Sequence, residues 1–410
     1  MTNILDFGAT PDGITINTNA IQKAIDAAAS QGGGQVIIPA GTYLTGTLRL
    51  KDNIDLHFEP GAILVASQNL DDYNKLEEYP QNWGSQKEQW RGAHLIIAIG
   101  KKNVSITGRG IIDGSGDAFY EPSVENPPLR HNYAWSWGLR FSKDKEKLRP
   151  GQMLVFCECQ NVLLSGFQIR NSPCWCCYLI GCQDAVVENL LIRNPRDAAN
   201  SDGIDIDCCQ NVMVSNCNIE TGDDAITLRG HEKVLGRHAP CENVTITNCV
   251  LGCSVCAFRI GVGSGTIRNV VISNIVIRRA ARGFLVQSAY SPNTGVDIYD
   301  ISVSNIRFDH TANPVRIQSG YPDTTATIHD LTFDGLYGNC YANIAVTGQV
   351  LTRPHDIRFT NCRFHIVKPP VRLADQQDYP KHFLAISLAE NIIARDVVFT
   401  QDEDARPFWN

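Results

Sequence analysis

Two short segments hold the side chains best suited to acid–base chemistry: Asn200-Ser201-Asp202-Gly203-Ile204-Asp205 and Gly222-Asp223-Asp224. Asp202 and Asp223 are 21 residues apart in a chain that repeats with about that period, so three carboxyl groups stack on one surface. Carboxyls gathered in this way cannot all ionise freely, because each charge raises the proton affinity of its neighbours. One of them becomes a proton donor beside carboxylate acceptors, as the cleavage of a glycosidic bond requires. An inverting hydrolase holds acid and base about 6.5–9.5 Å apart to admit a water, and groups one coil apart with a lateral offset are expected to meet that spacing.

The elements that position these acids follow from a repeated phrase of Asn or Asp followed by alternating apolar residues. It occurs at Asn103-Val104-Ser105-Ile106, Asn161-Val162-Leu163-Leu164, Asp184-Ala185-Val186-Val187, Asn211-Val212-Met213-Val214, Asn243-Val244-Thr245-Ile246 and Asn269-Val270-Val271-Ile272, and continues from Asp300, Asp330, Asp356 and Asn391. From residue 161 onward the phrases start 23, 27, 32, 26, 31, 30, 26 and 35 residues apart. Short strands with one inward face at such a period make a solenoid. No long amphipathic crossover helix follows any strand, and leucine-rich and WD patterns are absent, which leaves an all-β parallel β-helix. One coil advances the chain by about 4.8 Å. Registering Ile204 and Ile206 with Ile226 and Leu228, and then with Phe258 and Ile260, places Asp202, Asp224 and Cys256 in one file with Asp223 beside them.

Solenoids grow by adding coils rather than cores, so the 410 residues read as one domain. A helix is predicted over about 17–30, with Asn17 or Thr18 as cap and Ile21, Ala24, Ile25 and Ala28 on one face. It would close the open end. Insertions at about 70–93, 113–150 and 229–240 interrupt the repeat and are candidates for binding loops. They carry Trp83, Trp90, Trp135, Trp137, His231 and His238, of which Trp135 and Trp137 are taken as aromatic platforms for a sugar and His231 as a substrate contact. The formal charge is −7, with 36 basic and 43 acidic residues and no basic cluster, which argues against nucleic acid as a partner. No run reaches the roughly 18 apolar residues of a membrane span. The first residues lack a signal-peptide pattern, so a cytoplasmic location is expected. The 15 Cys read as small core residues in a reducing compartment, Cys174-Trp175-Cys176-Cys177 included. Neither metal nor cofactor is expected.

Four segments together resemble the polygalacturonase family of glycoside hydrolases: Asp6-Phe7-Gly8-Ala9-Thr10-Pro11-Asp12-Gly13, Asn171-Ser172-Pro173-Cys174-Trp175, the Asn-Ser-Asp-Gly-Ile-Asp-Ile run and Gly222-Asp223-Asp224-Ala225-Ile226. The resemblance covers nearly the whole repeat region. It implies a right-handed pectin-lyase-like β-helix and hydrolysis with inversion, with Asp223 as general acid and Asp202 with Asp224 activating water. Asn200 accompanies them as a substrate contact. Two departures bear on the substrate. The family's Gly-His-Gly is replaced by Val255-Cys256-Ala257, and its Arg-Ile-Lys, which binds a uronate carboxylate, by Leu285-Val286-Gln287. Arg259 lies one coil earlier on the file of Leu285, and Arg282 registers with Cys256. Either supplies a relocated cation, while Gln287 offers a neutral polar contact. Asp205 and Asp207 are expected on an exposed strand face.

These observations point to an exo-acting glycoside hydrolase on a plant-derived, pectic or related oligosaccharide, and not an ordinary polygalacturonase. The alternatives are a uronate lyase or epimerase on the same fold, and a non-catalytic glycan-binding β-helix.

Overall fold

The computed structural model describes residues 1–84, 92–121, 149–368, 382–403 and 405. The strand phrases stack as a parallel β-helix, each residue pairing with its equivalent one coil away. Val104, Val162, Ala185, Val212, Val244, Val270, Ile301, Leu331 and Ile357 form one such inward file, buried throughout. Period-two alternation is the cause: the apolar partner of each pair points in and the polar one points out.

The corners explain why each phrase begins with Asn or Asp. Asn161, Asp184, Asn211, Asn243, Asn269 and Asp300 all have φ between 51° and 58°, a left-handed conformation that short polar side chains tolerate best. Their amides chain from coil to coil. Asn243 Nδ2 donates to Asn211 Oδ1 at 2.9 Å, and Asn269 Nδ2 donates to Asn243 Oδ1 at 2.7 Å. A second corner repeats the device at Asn189, Asn216, Asn248, Asn274 and Asn305.

The N-terminal helix α1 (Thr18–Ser30) forms as expected and buries Ile21, Ala24, Ile25 and Ala28. Asn17 does not cap it through its side chain; the amide instead ties Thr10 and Thr15 together. No helix among the described residues is long and apolar enough to cross a membrane. The 15 cysteines are all buried and unpaired. Several stack along the axis, and the backbone N–H of Cys182 donates to Cys209 Sγ at 3.3 Å.

An 11-stranded parallel sheet carries the candidate site. Its central strands are β1 (Cys177–Ile180), β2 (Ile204–Asp207), β3 (Ile226–Gly230), β4 (Cys256–Gly263), β5 (Arg282–Gln287) and β6 (Asn313–Gln318). The register is the one anticipated: Ile204 pairs with Ile226, Ile226 with Phe258, and Phe258 with Phe284. Phe258 and Phe284 stack inside with ring centroids 4.9 Å apart.

Replacing Asn243 by Ala removes two ladder bonds and leaves at positive φ a side chain without the polar group that makes this conformation tolerable. A loss of about 2 kcal/mol is expected, seen as a lower thermal midpoint. Asn243→Gly, which keeps the conformation and loses only the bonds, should fall by clearly less.

Candidate active site

Asp202 lies two residues before Ile204 and Asp224 two before Ile226, so the rung register of β2 and β3 sets them one above the other. The same file includes Trp175, two residues before Cys177, and continues through Cys256 and Arg282. The glycines in both motifs are needed for this stacking. A Cβ on Gly222 would lie 2.2 Å from the Ala198 carbonyl oxygen, and one on Gly203 2.4 Å from that of Ala225. Ser201 Oγ accepts from the Gly222 N–H at 2.9 Å, locking the two aspartate turns together.

Asp202, Asp223 and Asp224 each present an oxygen within 4.8 Å of the others. They face a recess of about 40 Å³ lined also by Trp175, Asn200, Arg229, Arg259, Val262 and Tyr290. The nearest oxygens are closer than the carboxyl separation expected of an inverting enzyme, and a single water can bridge two of them at ordinary hydrogen-bond lengths. Two arginines balance the acids. Arg259 forms an ion pair with Asp224, its Nη2 donating to Oδ1 at 3.4 Å, while the Cys256 N–H donates to the same oxygen at 2.9 Å. Arg229 donates to Asp205 at 2.8 Å and to Asp202 at 3.3 Å, with its guanidinium 4.0 Å from the Trp175 ring centroid. Burial penalises both arginine charges, but the neighbouring carboxylates outweigh it and raise their pKa values.

The carboxyls separate by environment. Burial, then repulsion from Asp224, pushes Asp223 up to about 7, against the pull of Arg259 and a 3.0 Å hydrogen bond from the Asn200 N–H. Burial and the charges of Asp205, Asp223 and Asp224 also hold Asp202 well above the carboxylate range. Its Oδ1 is buried without a hydrogen-bond partner. Asp205 rises to about 6, chiefly through burial, despite Arg229.

Asp205 and Asp207 are not exposed strand-face residues as expected; both are fully buried beneath the loops over this face. Burial pushes Asp207 up, but the charge of His231 and hydrogen bonds from its N–H and Nδ1, both at 2.7 Å, leave it below the ordinary value. His231 is thereby tied to Asp207, five positions along the chain from Asp202, and lines an adjoining cavity rather than the recess of the three acids. His238 pairs with Glu232 and is largely exposed.

Other expectations are met unevenly. Asn200 is at the recess, its N–H on Asp223 and its Oδ1 accepting from Arg149 Nη2 at 2.6 Å. Arg259 is at the recess too, but committed to Asp224. Arg282 and Gln287 do not line it: Arg282 stands two rungs beyond Asp224, and Gln287 donates to the Ala289 carbonyl at 2.8 Å. Cys256 fills the histidine's place, with burial pushing its thiol up to about 12. Trp135 and Trp137 lie outside the described residues, as does Trp90. Arg229, Trp175 and Tyr290 went unread. Arg229 belongs to β3 and not to the insertion after it, and the alternation Asp205, Asp207 and Thr227, Arg229 carried the signal. Trp175 was legible from its place in the aspartate file. Tyr290 follows β5 in a loop, where no periodic signal exists.

The adjoining cavity, about 260 Å³, shares Trp175, Val262 and Tyr290 with the recess. Tyr79, Gln81 and Gly84 of the first insertion and Lys233 and Val234 of the short helix α2 (Glu232–Leu235) form its walls. Gln81 Nε2 donates to the Leu235 carbonyl at 3.3 Å, joining the two insertions across one end.

The stacked parallel sheets make this chain a pectin-lyase-like parallel β-helix. Residues 29–365 match the profile of Glycosyl hydrolases family 28, and the chain belongs to that family. A probable polygalacturonase of Vitis vinifera is 28% identical over 233 residues, which are 55% of this chain and 44% of the relative. An exo-poly-alpha-D-galacturonosidase of Dickeya chrysanthemi is 31% identical over 362 residues, 80% of this chain and 58% of that protein. The chain thus spans about half the length of these curated relatives. In fold it is similar to the crystal structure of a hyperthermoactive exopolygalacturonase from Thermotoga maritima, with a TM-score of 0.71 at 22% identity, covering 96% of this chain and 91% of the other.

The raised Asp223 pKa has a signed consequence for stability. From the ordinary value of 3.8 up to about 7 the folded protein keeps a proton that the unfolded chain releases, so rising pH costs stability in that window. Asp223→Asn removes this cost. The melting temperature of the variant relative to the parent is therefore expected to climb between about pH 4 and 7, equivalent to roughly 1–4 kcal/mol, and then level off. A pH-independent difference would refute the assignment.

Proposed function

We propose that this chain hydrolyses pectic oligosaccharides, with Asp223 protonating the glycosidic oxygen and Asp224, together with Asp202, activating the attacking water. The observation that carries this reading is the contrast within one recess: Asp223 is held near 7 by burial and by Asp224, while Asp224 has its counter-charge in the Arg259 ion pair. An acid that keeps its proton near neutrality beside a charge-paired carboxylate is the division of labour that glycoside hydrolysis needs. The partner oligosaccharide is supported by the polygalacturonase relatives and by the aromatic rings of Trp175 and Tyr290 at the recess.

Exo-action is supported by the link between the two insertions. With Gln81 joined to Leu235, the cavity beside the acids is walled at one end, a shape suited to a chain terminus rather than to a polymer passing through. Inversion rests on the family resemblance. A retaining double displacement is the second reading, favoured by carboxyl oxygens lying within 4.8 Å of one another. Anomeric NMR of the first product formed distinguishes the two.

Asp223→Asn is expected to lower kcat by roughly 10²–10⁴-fold. In the parent, the rate should decline as pH rises through about 7, where Asp223 gives up its proton. Unchanged turnover in the variant would overturn the assignment of the acid. A rapid fall in the viscosity of long pectic chains with little release of reducing ends would overturn exo-action.

A further inference from the structure

We propose that the C-terminal end of the solenoid is a dimer interface, in which the last strand pairs antiparallel with the same strand of a second copy of this chain. The last two strands of the larger sheet are β7 (His355–Ile366) and β8 (Glu390–Gln401), paired in parallel. Among the described residues β8 has no strand neighbour besides β7, so its other edge offers a long row of backbone N–H and C=O groups. The inward file is open at this end. Ile357, Phe359, Cys362 and Phe364 are buried on β7, whereas on β8 their partners Ile392, Val397 and Phe399 are only partly buried and Ala394 is exposed. The outward alternation fails here as well. Arg358 and Arg363 are exposed on β7, and the residues registered with them on β8 are Ile393 and Val398.

A second copy fits this edge because β8 is complementary to itself when reversed. Its sequence is Glu-Asn-Ile-Ile-Ala-Arg-Asp-Val-Val-Phe-Thr-Gln. A two-fold axis between Arg395 and Asp396 sets Arg395 opposite the partner's Asp396. Ala394 then meets the partner's Val397 and Ile392 the partner's Phe399, all on the inward file, while Ile393 meets the partner's Val398 outside. At the ends, Asn391 and Glu390 face the partner's Thr400 and Gln401. The symmetry makes every pair twice. Moving the axis onto Arg395 itself would oppose like charges and set inward residues against outward ones. The central charges are available, since Arg395 and Asp396 are exposed and neither is in an ion pair or a side-chain hydrogen bond among the described residues. Asp396 is a corner residue with φ 54°, and one coil earlier the same corner is Asn361, which donates to Asp334 Oδ1 at 2.8 Å. A carboxylate has no proton to donate down such a ladder, so its oxygens are left for an outside donor. An axis perpendicular to the solenoid also keeps the rise of the coil continuous across the join, because a spiral of either hand is unchanged by that rotation. The acids of the recess stand roughly 20 Å or more from this end, so the contact leaves them open.

Sedimentation equilibrium of the full chain tests the pairing. The parent should sediment at twice the chain mass at micromolar concentration. Arg395→Asp and Asp396→Arg each oppose like charges at both central contacts, and each should weaken the dimer roughly tenfold. An equimolar mixture of the two variants should restore it, because every central contact then joins unlike charges. The doubly substituted chain, Arg395→Asp with Asp396→Arg, should recover for the same reason. Recovery on mixing is a result that misfolding of either variant would not give, and turnover should be the same in all of them. A parent that stays monomeric would mean that the edge is covered from within the chain, and the interface falls. A dimer that neither single substitution weakens is held elsewhere, which overturns it too, as does a mixture that fails to recover.

Discussion

Parallel register is the constraint from which the rest of this protein follows. Each residue sits over its equivalent one coil away, so a side chain's neighbours are set by its count from the inward pair and hardly at all by its separation along the chain. Asp202 and Asp224 meet because both stand two places before an inward isoleucine. The asparagine corners keep that count true, since a coil that slipped by one residue would turn its apolar file outward and break an amide ladder together. Stability and site geometry are thus two effects of one stacking rule.

That rule also brings an unusual density of charge under cover. Asp202, Asp205, Asp207, Asp223 and Asp224 are all buried on one face. Arg229, Arg259 and His231 answer them, each held by hydrogen bonds. The pairing is uneven, and the unevenness sorts the acids. Asp224 and Asp207 have dedicated partners, Asp202 shares Arg229 with Asp205, and Asp223 has only a backbone N–H and a distant guanidinium. The incompletely compensated carboxyls, Asp202, Asp205 and Asp223, are the ones whose proton affinity rises. The spread of proton affinities at this site comes from incomplete neutralisation.

The repeating part of the molecule was legible because period-two alternation and the Asn or Asp corner are properties of each coil alone. The helix over Thr18–Ser30, the β2–β3–β4 register and the aspartate file could all be read this way. Asp205 and Asp207 were misjudged because their burial depends on the loops and aromatic rings that cover the outer face, and no periodicity reports what covers a strand. Arg229 is hidden for a related reason: it sits at the end of β3, directly before the insertion, where the alternation stops. The direction of His231 toward Asp207 is a three-body outcome of helix α2, the strand end and the buried acid, which spacing alone does not contain.

The unpaired thiols along the axis give the protein a vulnerability of a different kind. In the closed coils burial holds the Cys174, Cys176 and Cys177 thiols protonated, Cys176 at about 12, and so unreactive. Their inertness belongs to the fold rather than to the residues. Once heat or denaturant opens the coils, the thiols return to their ordinary proton affinity, a fraction ionises, and dissolved oxygen, taking two electrons per pair, oxidises them to disulfides at random. The chain then cannot rewind, and its endurance is governed by how rarely it opens and by the reductant around it rather than by an equilibrium between folded and unfolded forms.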